Sequence, residues 1–127
     1  MLENSIHFMV EKASSLVRDK VWESIVIHAI LFENSFQFDI YYKFEGDTDY
    51  EKDTKLLENG IIQRNELIRC YFYLRGKIVE SLSQSDENPI SGLTITVMST
   101  GRFSVDYEYE EQGLGCSADW KHRYLSI

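Results

Sequence analysis

Hydrophobic and polar positions alternate most strictly over residues 91–110. Leu93, Ile95 and Val97 alternate with Thr94, Thr96 and Met98. After Ser99-Thr100-Gly101, the residues Phe103, Val105, Tyr107 and Tyr109 alternate with Ser104, Asp106, Glu108 and Glu110. A period of two predicts two antiparallel strands, with one face buried and the other turned to water. Gly101 supplies the positive φ that a short hairpin turn needs. The inner face is apolar and aromatic, as a core requires. The outer face of the second strand carries three carboxylates in a row, which a core does not require.

The rest of the chain divides by the same test. Residues 3–20 repeat apolar side chains every three or four positions (Ile6, Met9, Val10, Ala13, Leu16, Val17), which predicts an amphipathic helix. Asn4 or Ser5 can cap its start, and Arg18 and Lys20 suit its negative end. Residues 22–33 are rich in β-branched side chains and apolar on both alternating faces, which predicts a central strand covered on both sides. Beyond a turn at Asn34-Ser35, a half-exposed strand is expected, with Phe36, Phe38, Ile40, Tyr42 and Phe44 inward and Gln37, Asp39, Tyr41 and Lys43 outward. Residues 46–60 are polar and read as a solvated connection with one short turn of helix. Residues 63–83 predict a second helix with a broad apolar stripe containing Leu67, Ile68, Tyr71, Phe72, Leu74, Ile78, Val79 and Leu82. Gly76 weakens that helix unless a strand approaches it closely. Pro89 stops the helix, and residues 117–126 read as a short terminal helix or arm.

This order predicts an α+β domain spanning residues 1–127. Its antiparallel sheet has about four strands in two hairpins, with two main helices on one face and a short C-terminal helix or arm. At 127 residues the chain can bury about two-thirds of its unfolded surface and needs no staple. A net charge of −8 argues against nucleic acid and anionic membranes as partners and is compatible with a basic protein. Acidity also keeps a small protein soluble without any partner. No leader pattern and no run of 18 apolar residues occurs, so the cytoplasm is the expected compartment, as a monomer or weak dimer.

Chemistry is sparsely represented. Two cysteines, Cys70 and Cys116, make no disulfide framework, and Cys70 reads as a small core residue. His7 lies beside the first apolar stripe, and His28 sits on the buried strand, where a hydrogen-bonded core histidine is expected. Cys116, Asp119 and His122 have helical spacing and metal-compatible side chains but lack a fourth ligand. A metal-dependent hydrolase built on them is therefore a distant alternative. Asp47, Asp49 and Glu51 resemble the start of a calcium loop, but Lys52 holds the position where the sharp turn needs glycine. None of the common nucleophile, phosphate-loop or zinc motifs occurs. No enzyme activity and no cofactor are expected.

What remains is acidity. Asp39, Asp106, Glu108, Glu110 and Glu111 are expected on one solvent-facing surface, with Asp106, Glu108, Glu110 and Glu111 as the electrostatic contacts and Asp39, Asp47, Asp49 and the other carboxylates of residues 47–53 as the rim. Like charges on one strand cost the fold slightly, and a basic partner relieves that cost. An acidic adaptor module using the sheet edge or the aromatic tail is the alternative from composition.

Residues Leu93-Thr94-Ile95-Thr96, Ser99-Thr100-Gly101-Arg102-Phe103 and Asp106-Tyr107-Glu108-Tyr109, followed by Trp120 and Arg123-Tyr124-Leu125, resemble the YezG-like immunity proteins of bacterial polymorphic toxin systems. The amphipathic first helix, Trp22 at the first strand and Tyr41-Tyr42 on the second are similar too. The chain departs from that pattern at Ile90, where a tryptophan often follows the proline, and over residues 46–60. The resemblance implies an antitoxin that binds and neutralises the C-terminal domain of a cognate secreted toxin, often a nuclease, without turnover. The contact residues named above come from strand alternation and charge, not from the family.

Overall fold

The alternation along the chain sorts side chains onto the two faces of a five-stranded antiparallel sheet in the computed structural model, which describes residues 3–31, 36–82 and 90–109. The strands are β1 (Trp22–Leu31), β2 (Phe36–Phe44), β3 (Glu51–Lys52), β4 (Ile90–Met98) and β5 (Phe103–Tyr109). They lie in the order β3-β2-β1-β4-β5, so β1 is central. Among the described residues there are three helices: α1 (Glu3–Ser15), α2 (Asp53–Glu58) and α3 (Arg64–Leu82). The expected α+β class holds. The terminal helix or arm expected at 117–126 lies outside the described residues.

One sheet face meets α1 and α3. Ile25, Ile27 and Ala29 of β1, Ile40 and Tyr42 of β2, and Leu93 and Ile95 of β4 are fully buried there. They pack against Ile6, Met9 and Ala13 of α1 and Leu67, Cys70, Leu74 and Ile78 of α3. Each large aliphatic side chain so buried contributes about 1.5–3 kcal/mol. The middle of the opposite face is also buried: Val26 and His28 of β1, Tyr41 of β2 and Thr94 of β4. The central strand is thus covered on both sides, as its apolar pattern predicts. On the edge strand β5, Val105 and Tyr107 face the core but are only half-buried, and Phe103 is exposed.

The sheet has five strands rather than four. The fifth, β3, forms because Lys52 and Glu51 pair with Tyr41 and Tyr42 of β2. Residues 46–60 therefore hold a turn, a strand and α2 rather than a plain loop with one helical turn. Asp53, expected on the solvated rim, is instead fully buried at the start of α2. Its carboxylate accepts hydrogen bonds from the Thr54 amide at 2.8 Å and from the Tyr71 hydroxyl.

α1 ends at Ser15, five residues short of the expected end. The Tyr42 hydroxyl donates to the Ala13 carbonyl at 2.7 Å, and the Leu16 amide takes the same carbonyl at 3.3 Å. Val17, whose amide would continue the helix at Ala13, bonds Ser14 instead, at 3.1 Å. The chain so tightens into three-residue turns, while Leu16 and Val17 still enter the core.

α3 is amphipathic, but its apolar stripe is split. Leu67, Cys70, Leu74 and Ile78 point inward, whereas Ile68, Phe72 and Val79 are exposed. Gly76 has open space where a Cβ would stand, so no strand approach requires it. At the β4–β5 turn, Gly101 does adopt φ +99°, the conformation the hairpin demands. Among the described residues no helix is long and apolar enough to cross a membrane.

Candidate functional site

The strand register places two of the expected acidic residues on one line. His28 of β1 lies between Asp39 of β2 and Thr94 of β4, and Thr94 lies beside Asp106 of β5. Asp39 and Asp106 therefore share the sheet face turned away from α1 and α3. Three strand spacings, about 14 Å, separate them. The residues between them, His28 and Thr94, are buried. Asp106 is exposed near the sheet edge. Asp39 is only partly exposed, and its Oδ1 lies 3.2 Å from Lys52 Nζ. Glu108 follows two positions after Asp106 on β5, opposite Gly92. Glu110 and Glu111 lie outside the described residues.

A second acidic group forms at the end of the sheet where β2 stops. Glu45, Asp47 and Asp49 are all exposed in the turn between β2 and β3. The turn is tied at both ends: the Glu45 amide bonds the Val21 carbonyl at 2.9 Å and the Asp47 amide bonds Phe44 at 3.0 Å. The Tyr50 hydroxyl donates to Ser24 Oγ at 2.9 Å. Because Trp22 pairs with Phe44, Glu23 of β1 reaches the same end of the sheet. Lys43 Nζ stands 3.8 Å from its carboxylate. Glu23 and Glu45 are members of this group that alternation along a single strand does not reveal. Only the hairpin register brings them together. Five residues of β2, about 17 Å, separate Asp39 from Phe44. The carboxylates thus form an edge-strand position and a sheet-end turn rather than one continuous face.

The buried ionisable groups lie elsewhere, under α2 and α3. Burial raises the Asp53 carboxyl above its usual range, and hydrogen bonds from Tyr71 and Thr54 oppose that rise. Burial pushes the Cys70 thiol up to about 12. Burial, followed by the nearby Asp39 and Asp53 charges, pushes Tyr41 up to about 12. The Tyr42 and Tyr71 hydroxyls are raised further, again first by burial. Of these, the Tyr71 hydroxyl bonds Asp53 and so joins α3 to the start of α2, the Tyr42 hydroxyl bonds the Ala13 carbonyl and so joins β2 to α1, and Tyr41 lies on the opposite sheet face.

The other expected sites resolve as follows. His28 is a buried core residue, and exposed His7 lies 3.8 Å from the Glu11 carboxylate one helical turn on. An apolar cleft of about 340 Å³ lies between α1 and the β4–β5 turn, with Ile6, Val10, Trp22, Val97 and Phe103 among its walls. Its polar side chains are His7 and Ser99. Among the described residues no group of three or more histidine, cysteine or acidic side chains is placed to hold a metal ion. Cys116, Asp119 and His122 lie outside them.

No protein-family model matches the chain, and no curated protein does.

Proposed function

We propose that this chain is an immunity protein that binds a secreted toxin domain stoichiometrically and neutralises it, acting in the cytoplasm with no turnover of its own. The observation that carries the reading is the held, exposed acidic turn: Glu45, Asp47 and Asp49 project from a segment whose backbone is tied to Val21 and Phe44 and whose Tyr50 side chain bonds Ser24. A turn ordered before encounter loses little entropy on docking. Its charge attracts a basic surface and speeds association. A nuclease active site is such a surface, because it must hold phosphate. Asp106 on β5 supplies a second acidic position, continued by Glu108 along the strand. The hairpin resemblance supports the same reading.

The test is to purify the toxin domain encoded beside this chain and titrate it with the full-length protein. A one-to-one complex that abolishes toxin activity is expected. A toxin domain that neither binds nor loses activity overturns the proposal.

A further inference from the structure

α3 places its apolar residues on two sides rather than one. Leu67, Cys70, Leu74 and Ile78 enter the core. Ile68, Phe72 and Val79 stand 45%, 65% and 45% exposed, spaced four and seven residues apart. With Arg75 they form a row at i, i+4, i+7 and i+11, a single seam along the outer surface of the helix. The flank of α3 that meets α1 is a different one. There Lys12 Nζ of α1 lies 5.6 Å from the Tyr73 ring, and Lys77 Nζ lies 5.2 Å from the Phe8 ring.

The border of the exposed seam is basic. Arg64 lies along one side and Arg69 along the other, with Arg75 inside the row, all exposed; the Arg75 guanidinium lies 5.3 Å from the Phe36 ring, and Glu80 is at the far end. Half of the six arginines of a chain with net charge −8 are therefore gathered around its exposed apolar stripe. We propose that this seam is a docking surface for an acidic amphipathic helix of a second protein partner. The apolar face of that helix would cover Ile68, Phe72 and Val79, and its carboxylates would meet Arg64, Arg69 and Arg75 in charge-assisted pairs. A second copy of this chain fits less well, because antiparallel pairing of two seams brings Arg75 close to its own counterpart. An anionic lipid surface fits less well too, because three apolar side chains are few and the rest of the chain is repelled. Asp106 lies on the opposite face of the sheet from this seam.

The probe is a synthetic helical peptide with leucines at i, i+4, i+7 and i+11 and glutamates on both flanks, titrated against the full chain by fluorescence anisotropy. A control peptide carries lysines in place of the glutamates. The glutamate peptide is expected to bind at least about tenfold more tightly than the control. Phe72→Glu is expected to abolish that binding, and Arg64→Glu with Arg69→Glu to weaken it about tenfold. All three side chains are exposed, so thermal melts of the variants should match the parent; Val79→Glu repeats the test at a second position. Equal affinity for the two peptides or indifference to Phe72→Glu overturns the proposal. So does self-association that Phe72→Glu abolishes, or binding to phosphatidylcholine–phosphatidylglycerol vesicles that depends on Phe72.

Discussion

Lys52 Nζ lies 3.2 Å from Asp39 Oδ1, joining the edge strand β3 to β2 beside a carboxylate that is mostly covered. Asp39 is thus paired within the molecule, whereas Glu45, Asp47 and Asp49 of the sheet-end turn are exposed. Asp39→Asn is expected to lower stability by about 1 kcal/mol or less. It should leave the rate of association with the toxin domain nearly unchanged. Stopped-flow mixing checks this, and a loss of rate as large as that from reversing Asp47 and Asp49 would contradict it.

Asp53 makes stability depend on pH in a definite direction. Its folded-state pKa is raised above the usual 3.8 by burial, so the folded state holds the proton more tightly than the unfolded state. Between 3.8 and that raised value the native protein binds more protons, and stability falls as pH rises. Asp53→Asn removes this term. Melting curves of parent and variant from pH 4 to pH 8 should diverge, with the parent losing ground towards neutrality. Parallel curves would refute the assignment.

Cys70 is fully buried on the inner face of α3, and its thiol is pushed up to about 12. At pH 8 the reactive thiolate is therefore scarce as well as shielded. Iodoacetamide should label Cys70 only as fast as the protein unfolds, with a marked acceleration in denaturant, as followed by peptide mass mapping. Rapid labelling of Cys70 in the native protein would show that α3 does not pack as described.

Gly76 sits inside α3 with nothing near the position a Cβ would occupy. Gly76→Ala should raise stability by about 0.5–1 kcal/mol through helix propensity and reduced freedom of the unfolded chain. Chemical denaturation measures it. A loss of stability would mean that the position is closed in solution.

Much of the fold was legible because burial acts on alternating strands through a strict period. Ile25, Ile27 and Ala29, with Leu93, Ile95 and Val97, face the core as their alternation requires. Gly101 takes the positive φ that the hairpin turn needs. What local pattern cannot carry is pairing between distant segments. Two residues, Glu51 and Lys52, become a strand only because Tyr42 and Tyr41 lie opposite them. The end of α1 depends on a tyrosine 29 residues later taking the Ala13 carbonyl. Asp53 looks like any loop carboxylate until Tyr71 of α3 is placed beside it. The apolar stripe of α3 was visible, but not that Ile68, Phe72 and Val79 lie beyond the width the sheet can cover. Among the acidic residues, position along a strand assigned a face to Asp39 and Asp106, whereas register was needed to gather Glu23 with Glu45, Asp47 and Asp49.

The central claim is that exposed carboxylates steer this chain onto a basic toxin surface. The direct measurement is the association rate with the neighbouring toxin domain as a function of salt, for the parent, for Asp47→Lys with Asp49→Lys, and for Asp106→Lys with Glu108→Lys. The parent rate should fall steeply as salt rises. At low salt at least one reversed pair should associate about tenfold or more slowly and with a flatter salt dependence, while dissociation changes less. Identical rates and identical salt slopes for all three proteins would contradict the account.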